Sequence, residues 1–352
     1  MSRAENAGMH NVKKPRDYDI IDTEEDLSKY LPLSNALKKC RETITPTFDL
    51  ADKTALRHQK YHRALTNVAV VFGTIAVLLA ILQLTGFVAT HLPMWVEVLA
   101  AIMALCAVIV GLIQSRQTMW LLQRHKAERC RLLKFRFLID PELWANDIAR
   151  VKSWENRLQL EVDEIKELIQ KSLHEWIENR EVSDVPSGIF QCEMKTDIQR
   201  ALVQYYKDKR LDVQMNYFAK RANQYHGIDR YLRNLPPILF LLSVLAVFGH
   251  FAIDVILKSS TILHNFSVLL IALAVSLPVT GAAIRSVRSA HEFARSACLY
   301  HAKYEALNRI AYRLKGEVDC ENILLALWHS EQFLEAEHRE WLRLMTEAEW
   351  FG

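Results

Sequence analysis

Apolar residues collect in four segments of about twenty residues, and polar residues fill the stretches between them. The segments are residues 67–88, 92–113, 235–256 and 262–284. About 20 residues rising 1.5 Å each cross a hydrocarbon core of roughly 30 Å, so each segment is long enough to span a bilayer. Glu97 and Asp254 are the only formally charged residues inside them. The pattern predicts an all-α integral membrane protein with two transmembrane helical hairpins, four spans in total.

Basic residues crowd the outer ends of each pair of segments. They are Lys53, Arg57, Lys60 and Arg63 before the first segment; Arg116, Arg124, Lys126, Arg129, Arg131, Lys134 and Arg136 after the second; Lys220, Arg221, Arg230 and Arg233 before the third; and Arg285, Arg288 and Arg295 after the fourth. The two short loops within the pairs contain one Lys or Arg residue between them, Lys258. Because cytoplasmic flanks carry an excess of Lys and Arg, both termini and the central region are predicted to be cytoplasmic.

The same pattern divides the chain into five parts. Residues 1–50 are predicted to be an N-terminal cytoplasmic tail, partly disordered; residues 51–141, a first hairpin with a cytoplasmic stalk; residues 142–233, a central cytoplasmic helical region; residues 234–316, a second hairpin with its stalk; and residues 317–352, a C-terminal cytoplasmic helix. The apolar pattern continues past the second segment to Ile139 and past the fourth to Leu314. We therefore expect each stalk to be an unbroken helical extension of its span.

Apolar residues in the central region follow a heptad spacing. They are Leu158, Val162, Ile165, Ile169 and Trp176. A second helix is expected to begin at about Thr196. Burial inside a helical bundle and coiled-coil packing between subunits both explain such a stripe, and the sequence leaves the two interpretations open.

The overall composition is informative only when it is compared between different parts of the chain. Hydrophobic residues are 51% and charged residues 24%, as in an ordinary globular protein, but almost all the charges lie outside the apolar segments. The net charge of +3 is too small to indicate nucleic-acid binding by itself. Six scattered cysteines without a CxxC pair predict reduced thiols and no metal site.

Catalytic motifs are absent from the sequence. It contains no Gly-rich phosphate loop, no GxSxG and no HExxH. We therefore expect neither an enzyme nor a bound cofactor. His329 near Glu331 and His338 near Glu340 are interpreted as solvated helix faces.

Residues after each hairpin resemble a known family. The first hairpin is followed by Trp120, Arg124, Lys126-Ala127-Glu128, Leu132, Leu133 and Phe137, and the second half contains His291-Glu292-Phe293-Ala294-Arg295 and Glu337-His338-Arg339-Glu340-Trp341. This pattern resembles the SLATT-type membrane effectors of bacterial nucleotide-signalling and conflict systems. The chain is similar to a duplicated, four-span form of that module.

The resemblance implies a pore-forming effector, an ion channel of bacterial anti-phage defence located in the inner membrane. It implies gating, through the cytoplasmic helices, by a nucleotide or oligonucleotide that a partner nucleotidyltransferase makes. A homo-oligomer in the lipid bilayer is expected, and a tetramer is assumed. The alternative is a non-conducting membrane scaffold or adaptor that recruits a partner protein through its cytoplasmic helices.

Basic and aromatic residues below the two hairpins form the candidate ligand site. Arginine forks onto phosphate and aromatic rings stack on bases. The residues are Arg116, Trp120, Arg124, Lys126, Arg129, Arg285, Arg288, His291, Arg295, Tyr300, Lys303 and Tyr304. Basic residues next to a membrane also set topology and contact anionic lipid, which is the alternative interpretation.

Polar residues inside the apolar segments are the candidate pore lining. They are Glu97, Asp254, His250, Ser243, Ser276 and Thr280. Rings of carboxylates at an outer mouth would favour cations. The alternatives are hydration of the carboxylates at the membrane interface and close helix packing at the small residues.

Overall fold

The computed structural model describes residues 18–84, 95–113, 116–145, 147–178, 185–186, 189, 194–256, 261–314 and 319–347. Within these ranges every regular element is a helix, which confirms the all-α prediction. The α-helices are α1 (Glu24–Lys29), α2 (Ser34–Leu84), α3 (Trp95–Ile113), α4 (Arg116–Ile139), α5 (Ile148–Glu167), α6 (Gln170–Glu178), α7 (Thr196–Tyr206), α8 (Asp212–Ile256), α9 (Thr261–Ala290), α10 (Phe293–Arg313) and α11 (Cys320–Glu347). A π-helical turn, Lys207–Leu211, joins α7 to α8.

Three helical stretches are long and apolar enough to cross a membrane. They are Leu31–Leu84, Thr196–Asp254 and Asn265–Arg313. A shorter apolar helix covers Trp95–Gly111. The segments 85–94 and 257–260, which include Lys258, lie outside the described residues. Length and composition therefore indicate a membrane protein.

Large apolar side chains on these helices face outwards. Leu84 is 88% exposed, Phe248 66% and Phe240 61%. Exposed apolar area is unfavourable in water by roughly 25 cal/mol per Å². Continuous apolar surface of this kind is typical of contact with lipid or with another chain.

Helices α8 and α9 pack side by side in opposite directions. Near one end of the pair, the backbone and side chain of Pro236 lie 3.6 Å from where a Cβ on Gly281 would stand. Further along, the Ser243 hydroxyl donates to the Ala274 carbonyl at 2.6 Å. Because the residue number rises on α8 as it falls on α9, the pair is antiparallel. Helix α2 packs against both α3 and α9.

The polar halves of the long helices form one bundle with a shared apolar core. Leu37, Ile44 and Phe48 of α2 are buried there together with residues of α4, α5, α7 and α11. Residues 1–17 of the predicted N-terminal tail lie outside the described residues, and residues 18–50 are mostly helical and supply part of this core. The short apolar pattern of this segment is completed only by its neighbours in space.

The heptad stripe of the central region faces the chain's own core. Leu158, Val162 and Ile165 are fully buried, whereas Ile169 is 58% exposed. Helix α5 ends at Glu167, so the stripe is interrupted before Ile169. Burial inside a bundle therefore accounts for the buried part of the stripe.

The two predicted stalks end differently. Helix α4 ends at Ile139 before Asp140 and Pro141, as the sequence predicts. The extension after the fourth segment is not unbroken, because α9 stops at Ala290 and Glu292 adopts a left-handed conformation with φ of 48°. That conformation is unfavourable for a residue with a Cβ, and it breaks the helix before α10 begins.

Cysteine chemistry differs from the prediction at one position. Cys40, Cys106, Cys130 and Cys298 are free thiols. Cys320, the first residue of α11, is disulfide-bonded. The expectation of reduced thiols is therefore wrong for Cys320.

Candidate functional site

A cavity of about 160 Å³ opens between the polar halves of α2, α4, α8, α10 and α11. It is lined by Asp19, Asp52, Ala55, Leu56, Gln59, Arg63, Trp120, Arg124, Glu128, Arg131, Leu132, Arg210, Val213, Gln214, Tyr217, Phe218, Arg221, Tyr225, Tyr300, Lys303, Leu334, Glu337, His338 and Trp341. Helices α2 and α8 continue from the cavity into their apolar halves as single helices. The cavity therefore adjoins the helices that are candidates for membrane spans.

Positive charge predominates in the cavity. Six Lys and Arg side chains face four Asp and Glu side chains, and Glu331, which pairs with Arg210 behind the wall, is a fifth carboxylate, so that one positive charge remains in excess. His338 adds none, because burial, helped by neighbouring cations such as Arg124, lowers its pKa to about 3. The cavity is thus suited to an anion.

Glu128 holds two of the cations in place. Its carboxylate lies 2.5 Å from Arg124 Nη2 and 2.6 Å from Arg131 Nη1. Burial alone would raise the pKa of the Glu128 carboxyl, but the two guanidinium groups outweigh burial and hold that pKa well below its usual value. Arg124 also donates to Asp52 at 3.1 Å. These groups stay charged and neutralise one another.

The third guanidinium of the cavity, Arg210, is also fully paired. Its Nε and Nη2 donate to the two carboxylate oxygens of Glu331 at 2.9 and 2.8 Å. Asp19, from the segment before α1, lies 3.7 Å from Arg210 and 3.2 Å from Arg131. The paired cations therefore connect α4, α8 and α11 to the N-terminal segment.

Two cations of the cavity have no such partner. Among the described residues, no ion pair involves Arg63 or Arg221; the buried Nε of Arg63 has no hydrogen-bond partner, and Arg221 donates to the side-chain oxygen of Gln224 at 3.2 Å. Lys303 is 6% exposed, and its ammonium is 3.6 Å from Glu337. Burial lowers the pKa of Lys303 despite the carboxylates nearby. Arg63 and Arg221 therefore carry charge that no carboxylate of the described residues neutralises, and Lys303 shares its charge with Glu337.

Aromatic rings cover one wall of the cavity. Tyr225 and Phe218 stack on Tyr300 with ring centroids 5.7 and 5.9 Å apart. Trp120 meets Trp341 edge to face at 6.0 Å on the other side. A planar base has aromatic surfaces available beside a cationic pocket.

The structure brings together four of the twelve predicted ligand residues, namely Trp120, Arg124, Tyr300 and Lys303. The remaining eight do not line the cavity. Four of them bind elsewhere in the chain: Lys126 donates to the Lys166 carbonyl, Arg129 pairs with Glu161, Arg288 donates to Asp229, and His291 contacts Asn67. Tyr304 packs against the core, and Arg285 and Arg295 are exposed. The side chain of Arg116 lies outside the described part of the chain. Helix periodicity explains the division, because residues on other faces of α4 and α10 point away from the cavity.

Sequence reasoning missed most of the remaining cationic wall. Arg131, Arg210 and Arg221 looked like ordinary charges on helices, and α8 supplied no predicted ligand residue. The interpretation of Glu331 and His338 as solvated is wrong, because Glu331 is fully buried against Arg210 and His338 is 9% exposed beside His125. Buried charges on amphipathic helices give no signal until their partners are known.

The polar residues proposed for the pore bind mainly within the chain. His250 Nδ1 is 2.6 Å from the Ser267 hydroxyl, and Ser243 donates across to α9. Thr280 donates to the Ser276 carbonyl on its own helix. Glu97 is partly exposed and Asp254 is exposed. These contacts join helices within one chain, and a pore role stays a prediction.

Comparisons with protein-family models, with curated proteins and with solved structures find no match. The class of protein therefore follows from the fold and the site. The described residues form an all-helical protein with three candidate membrane-crossing helices and a cationic cavity beside their polar ends. Across the described residues, no group of three or more His, Cys, Asp or Glu side chains is placed to hold a metal ion.

Proposed function

We propose that this chain is a pore-forming membrane effector that a nucleotide signal gates through the cavity. In this proposal α2 with α3 and α8 with α9 are two transmembrane hairpins in a bacterial inner membrane, with the cavity and both termini in the cytoplasm. Trp95–Gly111 is about 25 Å long at 1.5 Å per residue. A shortfall of a few ångströms from the roughly 30 Å core is accommodated by local thinning.

The observation that carries the proposal is the meeting of the apolar helices' polar extensions around one cavity. Gln59 of α2 and Tyr217 of α8 line it on helices that continue without interruption towards Leu84 and Ile256. A ligand that changes the separation of α2 and α8 would therefore displace their apolar halves as well. Such coupling needs only two alternative packings of the helices.

The chemistry of the cavity supports a nucleotide as the signal. Arginine side chains pair with phosphate, and the aromatic side chains that line the cavity, among them Tyr225 and Tyr300, are the residue type on which bases stack. The SLATT-type resemblance supplies the biological setting, in which a partner nucleotidyltransferase changes the level of the signal during anti-phage defence. An oligonucleotide is the other form of signal that this setting allows.

One subunit with four spans encloses no wide aqueous path, so the proposal requires a homo-oligomer. Closed cyclic symmetry is the usual arrangement of identical subunits, and a tetramer is the working assumption. Glu97 and Asp254 would then form carboxylate rings towards the outer face and favour cations. The ligand opens the pore if it binds the open packing more tightly and closes it in the converse case.

Reconstitution tests the proposal. Purified protein in planar bilayers should conduct, and adding nucleotides should change the open probability. Glu97→Gln combined with Asp254→Asn should reduce cation selectivity, measured as the reversal potential in a salt gradient. A protein that passes no current with any nucleotide, but binds a partner protein through residues 142–180, would instead be a membrane scaffold.

A further inference from the structure

The cations of the cavity divide into those paired closely with carboxylates and those without such a pair. Arg124, Arg131 and Arg210 are paired with Glu128, Glu331 and nearby aspartates at 2.5 to 3.2 Å. Removing one of these three guanidinium groups would leave a buried carboxylate without its partner. Arg63 and Arg221 have no carboxylate partner among the described residues, and they reach the cavity from α2 and α8 respectively. An anion that enters the cavity meets these two side chains and Lys303.

The size of the cavity limits what can enter. At roughly 30 Å³ per water molecule, 160 Å³ corresponds to about five waters. Pockets that enclose a drug-sized molecule have volumes of about 300 Å³ or more. The cavity has room for one phosphate group and the atoms next to it, but it does not enclose an oligonucleotide.

The electrostatic environment indicates how much negative charge is accommodated. Arg63 and Arg221 are two guanidinium groups without a carboxylate partner among the described residues, and together they match a phosphomonoester, which carries about −1.5 to −2 at pH 7, better than a phosphodiester with a single charge. The cations of the cavity also change the pKa of Tyr217. Burial raises the pKa of a tyrosine, yet Arg124 and Arg221 outweigh burial and lower the pKa of Tyr217 below its usual value.

We infer that the cavity is a phosphomonoester site, in which a terminal phosphate binds Arg63, Arg221 and Lys303 and a single substituent leaves through the cavity mouth. The inference rests on the proposed function only in naming the ligand of the same cavity. The site selects a linear 5′-monophosphate over a cyclic phosphodiester, because a diester carries a single charge and has only two unesterified oxygens for the three cationic groups. A soluble nucleotide and a phosphomonoester lipid headgroup share this chemistry.

Binding measurements on the full chain in detergent test the inference. Isothermal titration should show that AMP binds at least tenfold more tightly than 3′,5′-cyclic AMP, that inorganic phosphate competes, and that adenosine does not bind. Equal affinity for AMP and cyclic AMP would overturn the inference. Vesicles of phosphatidylcholine with and without phosphatidic acid provide the lipid arm. If AMP fails to bind only in the vesicles that contain phosphatidic acid, the site binds a lipid headgroup.

Variants locate the phosphate. Arg221→Gln and Arg63→Gln should each weaken AMP binding on the order of tenfold or more, since a hydrogen bond to a charged group is lost. The exposed neighbours Lys220→Gln and Arg57→Gln are matched controls on the same helices and should bind as the parent does. Unchanged affinity in both cavity variants would overturn the assignment. These replacements strand no carboxylate, and thermal unfolding checks that the variants are folded.

The two proposals fail separately. If AMP binds with the expected preference but no nucleotide changes the conductance, the gating function is wrong and the site stands. If cyclic and linear nucleotides change the conductance equally through the cavity, the function stands and the phosphomonoester assignment is wrong.

Discussion

Arg210 and Glu331 bring opposite charges together inside the bundle, where their side chains are 3% and 0% exposed. Tyr206 donates a further hydrogen bond of 2.7 Å to the same carboxylate. A pair of this kind adds little net stability compared with apolar residues, but losing one partner is costly because a charge is left buried without compensation. Single residues of the bundle are therefore tested best by removing one charge at a time.

Glu331→Gln should lower the free energy of unfolding by roughly 3–5 kcal/mol, because Arg210 would remain charged without its partner. Chemical denaturation in detergent, followed by circular dichroism, measures the change. Glu340→Gln is the matched control, since Glu340 lies on the same helix and is exposed. Equal stability of the two variants would contradict the structural role given to Glu331.

The buried pair His125 and His338 predicts a pH dependence of stability. Their ring nitrogens are 3.2 Å apart, and burial is the main cause that lowers both pKa values, that of His338 to about 3. The unfolded chain binds protons near pH 6.5 and the folded chain does not, so stability is present above pH 6.5 and falls as the pH drops towards the folded pKa. Two such groups lose about 3 kcal/mol between pH 7.5 and 5.5.

Unfolding free energies at pH 7.5 and 5.5 check this prediction. His338→Gln should weaken the pH dependence by about half, whereas His301→Gln, an exposed control, should leave it unchanged. The explanation fails if the parent and His338→Gln lose stability by the same amount on acidification.

At the scale of elements, the close approach of α8 and α9 depends on a small residue. A Cβ on Gly281 would stand 3.6 Å from both Cα and Cβ of Pro236, which is ordinary contact with no room for more atoms beyond it. On the same helix as Pro236, a Cβ on Gly227 would meet nothing within 4 Å. The two glycines therefore distinguish packing from helix propensity.

Gly281→Leu should destabilise the α8–α9 pair by about 1–3 kcal/mol through overpacking against the Pro236 backbone. Gly227→Leu should be neutral or stabilising by up to about 1 kcal/mol, since leucine is the better helix former. Melting temperatures in one detergent compare the two. A Gly281→Leu protein as stable as Gly227→Leu would show that the helices do not pack as described.

At the scale of the whole molecule, exposed cysteines report the orientation in the membrane. Cys298 on α10 is exposed, whereas Cys40 and Cys130 are buried. If the polar bundle is cytoplasmic, a membrane-impermeant maleimide should label Cys298 in inside-out vesicles and not in intact spheroplasts. Cys298→Ser identifies the signal by difference. Labelling of Cys298 in intact spheroplasts would reverse the proposed topology.

The sequence predicted helices and their apolar stretches well because those depend on local order. Helix α4 ends at Ile139 as Asp140 and Pro141 indicate, and a helix begins at Thr196 as expected. The break at Glu292 was missed, since no Gly or Pro marks it. Core membership of Leu37 and Phe48 was also missed, because their partners lie on distant parts of the chain.

The candidate site was predicted only in part for a similar reason. Juxtamembrane position singled out Arg124 and Lys303, but it also singled out Arg285 and Arg295, which are exposed. Arg63 and Arg221 differ from the other cationic residues of the cavity in lacking a carboxylate partner among the described residues. That difference exists only in three dimensions.

The order of apolar and polar residues alone determined that this chain is helical and suited to a bilayer, because burial in lipid requires long apolar runs whose backbone groups are satisfied within one helix. Tertiary structure decided which charges neutralise one another and which face a shared cavity. Pairing depends on distances of 3 to 4 Å between residues far apart in sequence, and packing of the whole bundle fixes those distances.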